Sequence, residues 1–361
     1  PDFGAAKRPR RAHPQTVHVH VTRPPSRRAA RLVVALCVLA VALVFLAFQF
    51  GTERTWWIEL ARYIPFPAYL APAAMGVLLS FWLPTRWRLA AVAALALVIT
   101  GIMGVQLNRG EEGHAPLRVM SFNIKAYLAD DKPGGYARIA WEMALHDPDV
   151  LVMQDAGLAN KPEDLPPSFR TALGARQIHI SGQYIVASRH PMTDCQSGDI
   201  SFPGEGHHYV RCTITAHGVS FDMVTAHLLS PREGLNATRH ERLGGLAEWQ
   251  ENFEMRMIQA HKLARDLFGQ PRPLVLAGDL NAPDSSPVIA ALRESGLRDS
   301  FASAGLGYGY TFGHSLRTRF SFLRIDHIMV SPQIGVKDSF VGGAEASAHR
   351  PVIADLWLKR D

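Results

Sequence analysis

Cysteine is scarce in this chain of 361 residues. Three residues, Cys37, Cys195 and Cys212, are too few for a disulfide framework to organise the fold. Cys37 falls inside an apolar run, so Cys195 and Cys212 are the one pair that could bridge; a bridge and two separate thiols both stay open. Acidic residues are nearly missing from the front of the chain. Residues 1–116 hold 13 of the 38 Lys/Arg but only 5 of the 32 Asp/Glu, a surplus of eight positive charges. The other 25 basic and 27 acidic residues leave 117–361 with a deficit of two, although the whole chain carries +6. A domain that grips a nucleic-acid backbone is expected to be basic, so this balance disfavours such a partner. There are no internal repeats. The glycines at 305, 307, 309 and 313 are followed by no Lys-Ser/Thr pair, which excludes a nucleotide-phosphate cradle of that kind.

Long apolar runs, by contrast, are present. Leu32 to Phe50 gives 19 residues without a charge, enough to cross a hydrocarbon core, and further apolar stretches cover 63–83 and 89–107. The first run is longer than a signal's apolar region and no small-residue cleavage site follows, so a retained anchor is expected. Pro65, Pro67 and Pro72 mark the second stretch as a late-starting, kinked or re-entrant segment. Trp56, Trp57, Trp82 and Trp87 stand at the ends of the runs, as in interfacial aromatic belts. Residues 1–31 lack apolar periodicity and are predicted to be a disordered basic tail, held in the cytoplasm by its arginines. Three crossings then place everything after the linker at 108–116 outside, at an inner or plasma membrane; two would return it to the cytoplasm. Arg86 and Arg88 agree with the first arrangement, whereas Arg54 and Arg62 fall in the outer loop.

After Pro116 the pattern turns to short β-like runs alternating with helical ones. Strands are predicted at 117–122, 150–153, 184–188, 210–214, 221–226, 273–277, 325–330 and 352–357, with helices at 136–146 and 236–268. Such a mixture over about 245 residues reads as one α/β domain with a large core. Polar residues recur where apolar strands end: Asn123, Asp155, His227, Asp279 with Asn281, Asp326, and His349. Carboxylates and amides suit a hard cation, and histidines suit proton transfer or a phosphate contact. Singly each is weak, since an Asp-x-Asn after a strand is usually a turn or cap. His207-His208 reads as a solvated loop, and Met255 with Met257 as packing.

The order and spacing of the whole set are distinctive. LRVMSFNI at 117–124, PDVLVMQDA at 148–156, IVASRHPM at 185–192, VTAHL at 224–228, LVLAGDLNAP at 274–283, RIDHIMVSP at 324–332 and SAHRPVIADL at 347–356 resemble the endonuclease/exonuclease/phosphatase superfamily. The resemblance implies a four-layer sandwich of two mixed, mostly antiparallel β-sheets flanked by helices. It also implies roles: Asn123 and Asp155 as metal-site residues for Mg2+ or Mn2+, and Asp279 orienting or deprotonating water with support from Asn281. His227 would touch the scissile phosphate, and His349, oriented by Asp326, would serve proton transfer or the transition state. The loop at 305–313 would border the pocket. Two departures stand out. Asp155 replaces the usual Glu, and Ala348 replaces an Asp that normally serves the metal, which should weaken cation binding.

Short spans followed by this domain are similar to some bacterial glycopeptide-resistance membrane proteins. The expected function is therefore membrane-anchored hydrolysis of a phosphate ester or pyrophosphate, with a lipid-linked substrate favoured because tethering raises its local concentration. An extracytoplasmic nuclease and a silent module that binds a phosphorylated ligand are the alternatives.

Overall fold

The computed structural model describes residues 26–113, 116–131 and 134–359. Most of the expected basic tail lies outside the described residues. Its end does not stay irregular: the chain is helical from Arg27 to Phe50, capped by Ser26, whose Oγ accepts the Ala29 amide at 3.3 Å. Arg27–Phe50 and Thr85–Ile102, with mean hydropathies of 2.9 and 1.5, are long and apolar enough to cross a membrane. Between them the chain bends by 86° where Glu53–Arg62 meets Phe66–Ser80, so a third crossing exists only if that pair is one broken span. The prolines explain the bend. Pro65 and Pro67 set a short 3-10 turn, and the α-helix resumes only at Leu70. The 11 residues of Leu70–Ser80 reach roughly 16 Å, about half a hydrocarbon core.

Beyond Pro116 two six-stranded sheets lie face to face. One runs in the order Ile334–Val341, Val352–Leu358, Leu117–Asn123, Val150–Gln154, Tyr184–Ser188, Gln177–Ser181. The other runs Arg298–Asp299, Asp326–Val330, Leu274–Asp279, Val219–His227, His208–Ala216, Met192–Asp199. Each contains one parallel pair among antiparallel neighbours, as expected for mixed sheets. Val119, Val152, Val186, Ile214, Met223, Val275, Ile328 and Ala354 meet between the sheets. Leu246–Leu267 and Pro287–Glu294 cover one outer face, Gly135–His146 and Pro167–Leu173 the other. Alternation of inward and outward apolar residues thus yields four layers.

The single helix predicted over 236–268 is two, Arg232–Glu241 and Leu246–Leu267. Arg242 turns left-handed (φ 56°) just before Gly244-Gly245, and that break ends the first helix. Cys195 and Cys212 are bridged across the neighbouring strands Met192–Asp199 and His208–Ala216.

The region of apolar helices is not joined to the two-sheet domain by a free tether. Gln106–Leu107 pairs antiparallel with Leu306–Gly307, and within the expected linker the Glu111 amide donates to the Val336 carbonyl at 2.7 Å. The helix Trp56–Arg62 docks more deeply. Glu59, Arg62 and Arg256 are fully buried together; Glu59 takes Arg62 at 3.0 Å and the Ser286 hydroxyl at 2.7 Å. The Tyr63 hydroxyl accepts from Arg256 at 2.5 Å and donates to the Asn281 carbonyl at 2.6 Å. Buried charges are tolerated because each finds a partner.

Candidate active site

Strand register builds the site. In the second sheet His227 pairs with Asp279 in parallel register, and Asp279 pairs with Asp326 across an antiparallel one. Three strands therefore end side by side with a histidine and two carboxylates at one edge. Gly278 permits it: a Cβ there would lie 1.9 Å from the Ala226 carbonyl, so only glycine allows these strands to approach. From the facing sheet, Asn123 pairs with Gln154, and the chain then turns at Asp155 in the left-handed region (φ 49°). Asn281, after the Asp279 strand, has the same conformation (φ 49°), with its amide bound to Asp279 Oδ1 at 3.0 Å. Strained backbone of this kind gathers at functional sites.

All seven residues expected from sequence are brought together, and their bonds are mutual. Asn123 Nδ2 donates to Asp279 Oδ2 at 2.9 Å, and His227 Nε2 stands 3.5 Å from that oxygen. Asn281 Nδ2 donates to the Leu228 carbonyl at 2.8 Å, which points its role inward to the strand ends. His349 Nδ1 lies 3.0 Å from Asp326 Oδ2 and 3.7 Å from Asp279 Oδ2. A carboxylate can only accept, so this nitrogen carries the proton and Nε2 is left to meet a substrate oxygen. Burial pulls the two histidines the same way, down, but their neighbours differ. For His227 burial prevails over Asp279 and Asp155, and the ring is held neutral below its ordinary range. For His349 Asp326 and Asp279 outweigh burial and raise it, favouring the imidazolium.

The structure adds residues that the sequence reading did not single out. Lys125, two positions after Asn123, donates Nζ to Asp155 Oδ2 at 2.5 Å. Burial works against its charge, yet Asp279 and Asp155 prevail and raise it, so the ammonium persists. Gln183 Oε1 receives His227 Nδ1 at 2.6 Å. Thr311 Oγ1 accepts the amides of Ile325 and Asp326, each at 3.3 Å, and the Phe312 ring lies 4.9 Å from that of His349. The 305–313 loop therefore does border the site. His207 is not merely solvated: it lines, with Lys125, Asp155, His227 and Arg232, a cleft of about 330 Å³. His208 belongs to a strand, its ring against Tyr184. Nothing but its place beside Asn123 could have signalled Lys125.

Among the described residues, two groups of side chains have metal-site composition, Asp279/Asp326/His349 and Asp284/Asp299/His327, their ligand atoms within 4.8 Å of one another. In the second, Arg324 forms ion pairs with both carboxylates and Arg293 with Asp284, so two cations already offset the two carboxylates. In the first, the His349–Asp326 bond is that of a proton-handling pair. The position expected for Mg2+ or Mn2+, between Asn123 and Asp155, suits a divalent ion poorly. Asn123 Oδ1 accepts the Lys125 amide at 3.1 Å, Asp155 is bound by the Lys125 ammonium, and Ala348 offers no donor.

The model of the Endonuclease/Exonuclease/phosphatase family matches residues 120–349. Among solved structures, the fold is shared with an endonuclease/exonuclease/phosphatase from Bacteroides vulgatus, at 20% identity and TM-score 0.51, over 68% of this chain and 100% of that one. A mannosyl-6-phosphatase from Bacteroides thetaiotaomicron matches at 20% identity and TM-score 0.50, over 67% of this chain and all of its own. The human Nocturnin catalytic domain, solved with a sulfate anion, matches at 17% and TM-score 0.50, over 71% and 96%. No curated protein matches the sequence.

Proposed function

Because the chain belongs to the Endonuclease/Exonuclease/phosphatase family, hydrolases of phosphoester bonds that are generally metal-dependent, we propose that it cleaves a phosphate ester or pyrophosphate at a membrane surface using a water activated by Asp279. One observation carries this reading: strand register sets Asp279 between His227 and Asp326, with His349 bonded to Asp326. Asp279 takes a proton from water as its oxygen attacks phosphorus, with Asn123 and the Asn281 amide holding the carboxylate in place. The bond to the leaving oxygen breaks, and that oxygen receives the proton of the His349 imidazolium. Neutral His227 keeps its proton on Nδ1, donated to Gln183, so its Nε2 accepts a hydrogen bond from the attacking water. Proton transfer by positioned groups and preorganised donors together account for the acceleration expected of such a site.

A lipid-linked substrate is favoured because the hydrolase part, residues 117–361, docks directly on the apolar helices. The near-neutral charge of that part argues against nucleic acid. We place it on the outer face, counting the bent pair as the middle of three crossings. Arg27, Arg28 and Arg31 at the start of the first helix support this orientation, as does the Cys195–Cys212 bridge, which suits an oxidising compartment.

The test uses the full chain in vesicles with a lipid pyrophosphate, plasmid DNA and a chromogenic phosphodiester. Lipid pyrophosphate turnover that disappears in Asp279→Ala is expected. Nicking of DNA as the dominant activity would replace the lipid reading, and a folded protein with no turnover would indicate a binding module. A C-terminal reporter active only in the cytoplasm would overturn the orientation.

A further inference from the structure

The chemistry of phosphate hydrolysis demands positive charge where the phosphoryl oxygens sit. Three carboxylates, Asp155, Asp279 and Asp326, gather at the strand ends beside the cleft, and Asp155 and Glu233 line it. The cations lining it are Lys125 and, exposed at the rim, Arg232. The lysine side chain is only 11% exposed, with its ammonium fixed on Asp155.

The backbone is shaped to put it there. Lys125 and Asp155 are both left-handed (φ 44° and 49°), a conformation that costs a side-chain-bearing residue about 1–3 kcal/mol. Their two turns are tied together. The Ala126 amide donates to the Asp155 carbonyl at 2.9 Å, and the Lys125 amide to Asn123 Oδ1 at 3.1 Å. A surface ion pair needs none of this scaffolding. The Asp155 carboxylate that would cradle a divalent ion instead holds the Lys125 ammonium, the Asn123 oxygen is taken by the Lys125 backbone amide, and the next position that could contribute, Ala348, has only a methyl.

We propose that the Lys125 ammonium is the resident cation of this site, occupying the place of a divalent ion and donating to a non-bridging oxygen of the scissile phosphate, so that turnover proceeds with divalent ions chelated. The inference rests on the phosphoesterase reading. No proton leaves the lysine in the step; it neutralises charge that develops as the leaving bond breaks. Its strength as a point charge is greatest because the cleft is partly dehydrated.

The full chain is assayed on the substrate panel with excess EDTA, and again with Mg2+ or Mn2+. Rates within about threefold of one another are expected. Lys125→Met, close in length and uncharged, should lose about 10²–10³-fold, and Lys125→Arg should recover part of it. Activity that vanishes in EDTA and returns with Mn2+ would overturn the lysine while leaving the hydrolase intact. A second readout is independent of turnover: Mn2+ binding followed by electron paramagnetic resonance. Wild type should bind none that depends on Asp155. Lys125→Ser should gain one site, lost again when Asp155→Asn is added. Mn2+ bound by wild type and released by Asp155→Asn alone would sink the idea even if no substrate is found. Absence of turnover with an Asp155 that ignores Mn2+ would uphold the lysine and remove the hydrolase reading.

Discussion

At the scale of single residues, the two histidines of the cleft are driven in opposite directions by unequal surroundings. His349 is raised because Asp326 and Asp279 outweigh burial, so its imidazolium persists above the ordinary histidine range. The sign for catalysis follows. Protonated His349 is lost as pH rises through its raised value, which sets the alkaline limb of the rate profile above about 6.5. Asp326→Asn removes the strongest raising partner and should move that limb to lower pH, measurable in kcat against pH. The same bond stabilises the fold fully below the unfolded-state value and progressively less as pH rises through the folded one. The site was legible at this scale as far as strand ends go: Asn123, Asp155, His227, Asp279, Asn281, Asp326 and His349 do meet. Lys125, Gln183 and Thr311 were not, because their significance lies in where turns aim them and no local pattern encodes that aim.

Among secondary-structure elements, legibility followed burial. The strands predicted correctly are central ones, such as Val150–Gln154 and Leu274–Asp279, whose every residue is buried and whose sequences read as continuous apolar runs. Those missed are edge strands: Gln177–Ser181, Met192–Asp199, Arg298–Asp299 and Ile334–Val341. An edge has one paired side and tolerates polar residues, so the alternation fades. One edge is stapled. The Cys195–Cys212 bridge ties Met192–Asp199 to its neighbour across a short loop, and Cys212→Ser should cost about 2–4 kcal/mol in a denaturant titration. Gly278→Ala is the sharper test of strand approach. With the Ala226 carbonyl 1.9 Å from the new carbon, the parallel pair must part, costing about 1–3 kcal/mol or more and dispersing His227 from Asp279. Circular dichroism melts together with turnover would record both effects.

For the molecule as a whole, the sequence predicted two parts joined by a tether, and the structure joins them by a buried interface. The reason this was hidden is that Arg62 reads as a loop charge between two apolar runs and Tyr63 as the start of the second run, while Glu59 carries no signal of its own. Their partners, Arg256 and Asn281, lie about two hundred positions later. Removing residues 1–113 would strip Arg256 of Glu59 and Tyr63 and leave a buried charge uncompensated. The excised domain should therefore be destabilised by about 3–5 kcal/mol relative to the full chain. Tyr63→Phe is the milder probe. It deletes the hydroxyl that donates to the Asn281 carbonyl at 2.6 Å, and should lower kcat while leaving membrane insertion intact. That hydroxyl also fixes an order of events in biogenesis. Tyr63 leaves the ribosome long before Asn281 does, so the catalytic loop can find its anchor only after the earlier helices have been made. A chain in which Tyr63 has not reached Asn281 would carry an incomplete site, so the anchored arrangement proposed above would delay hydrolysis until the front helices are in place.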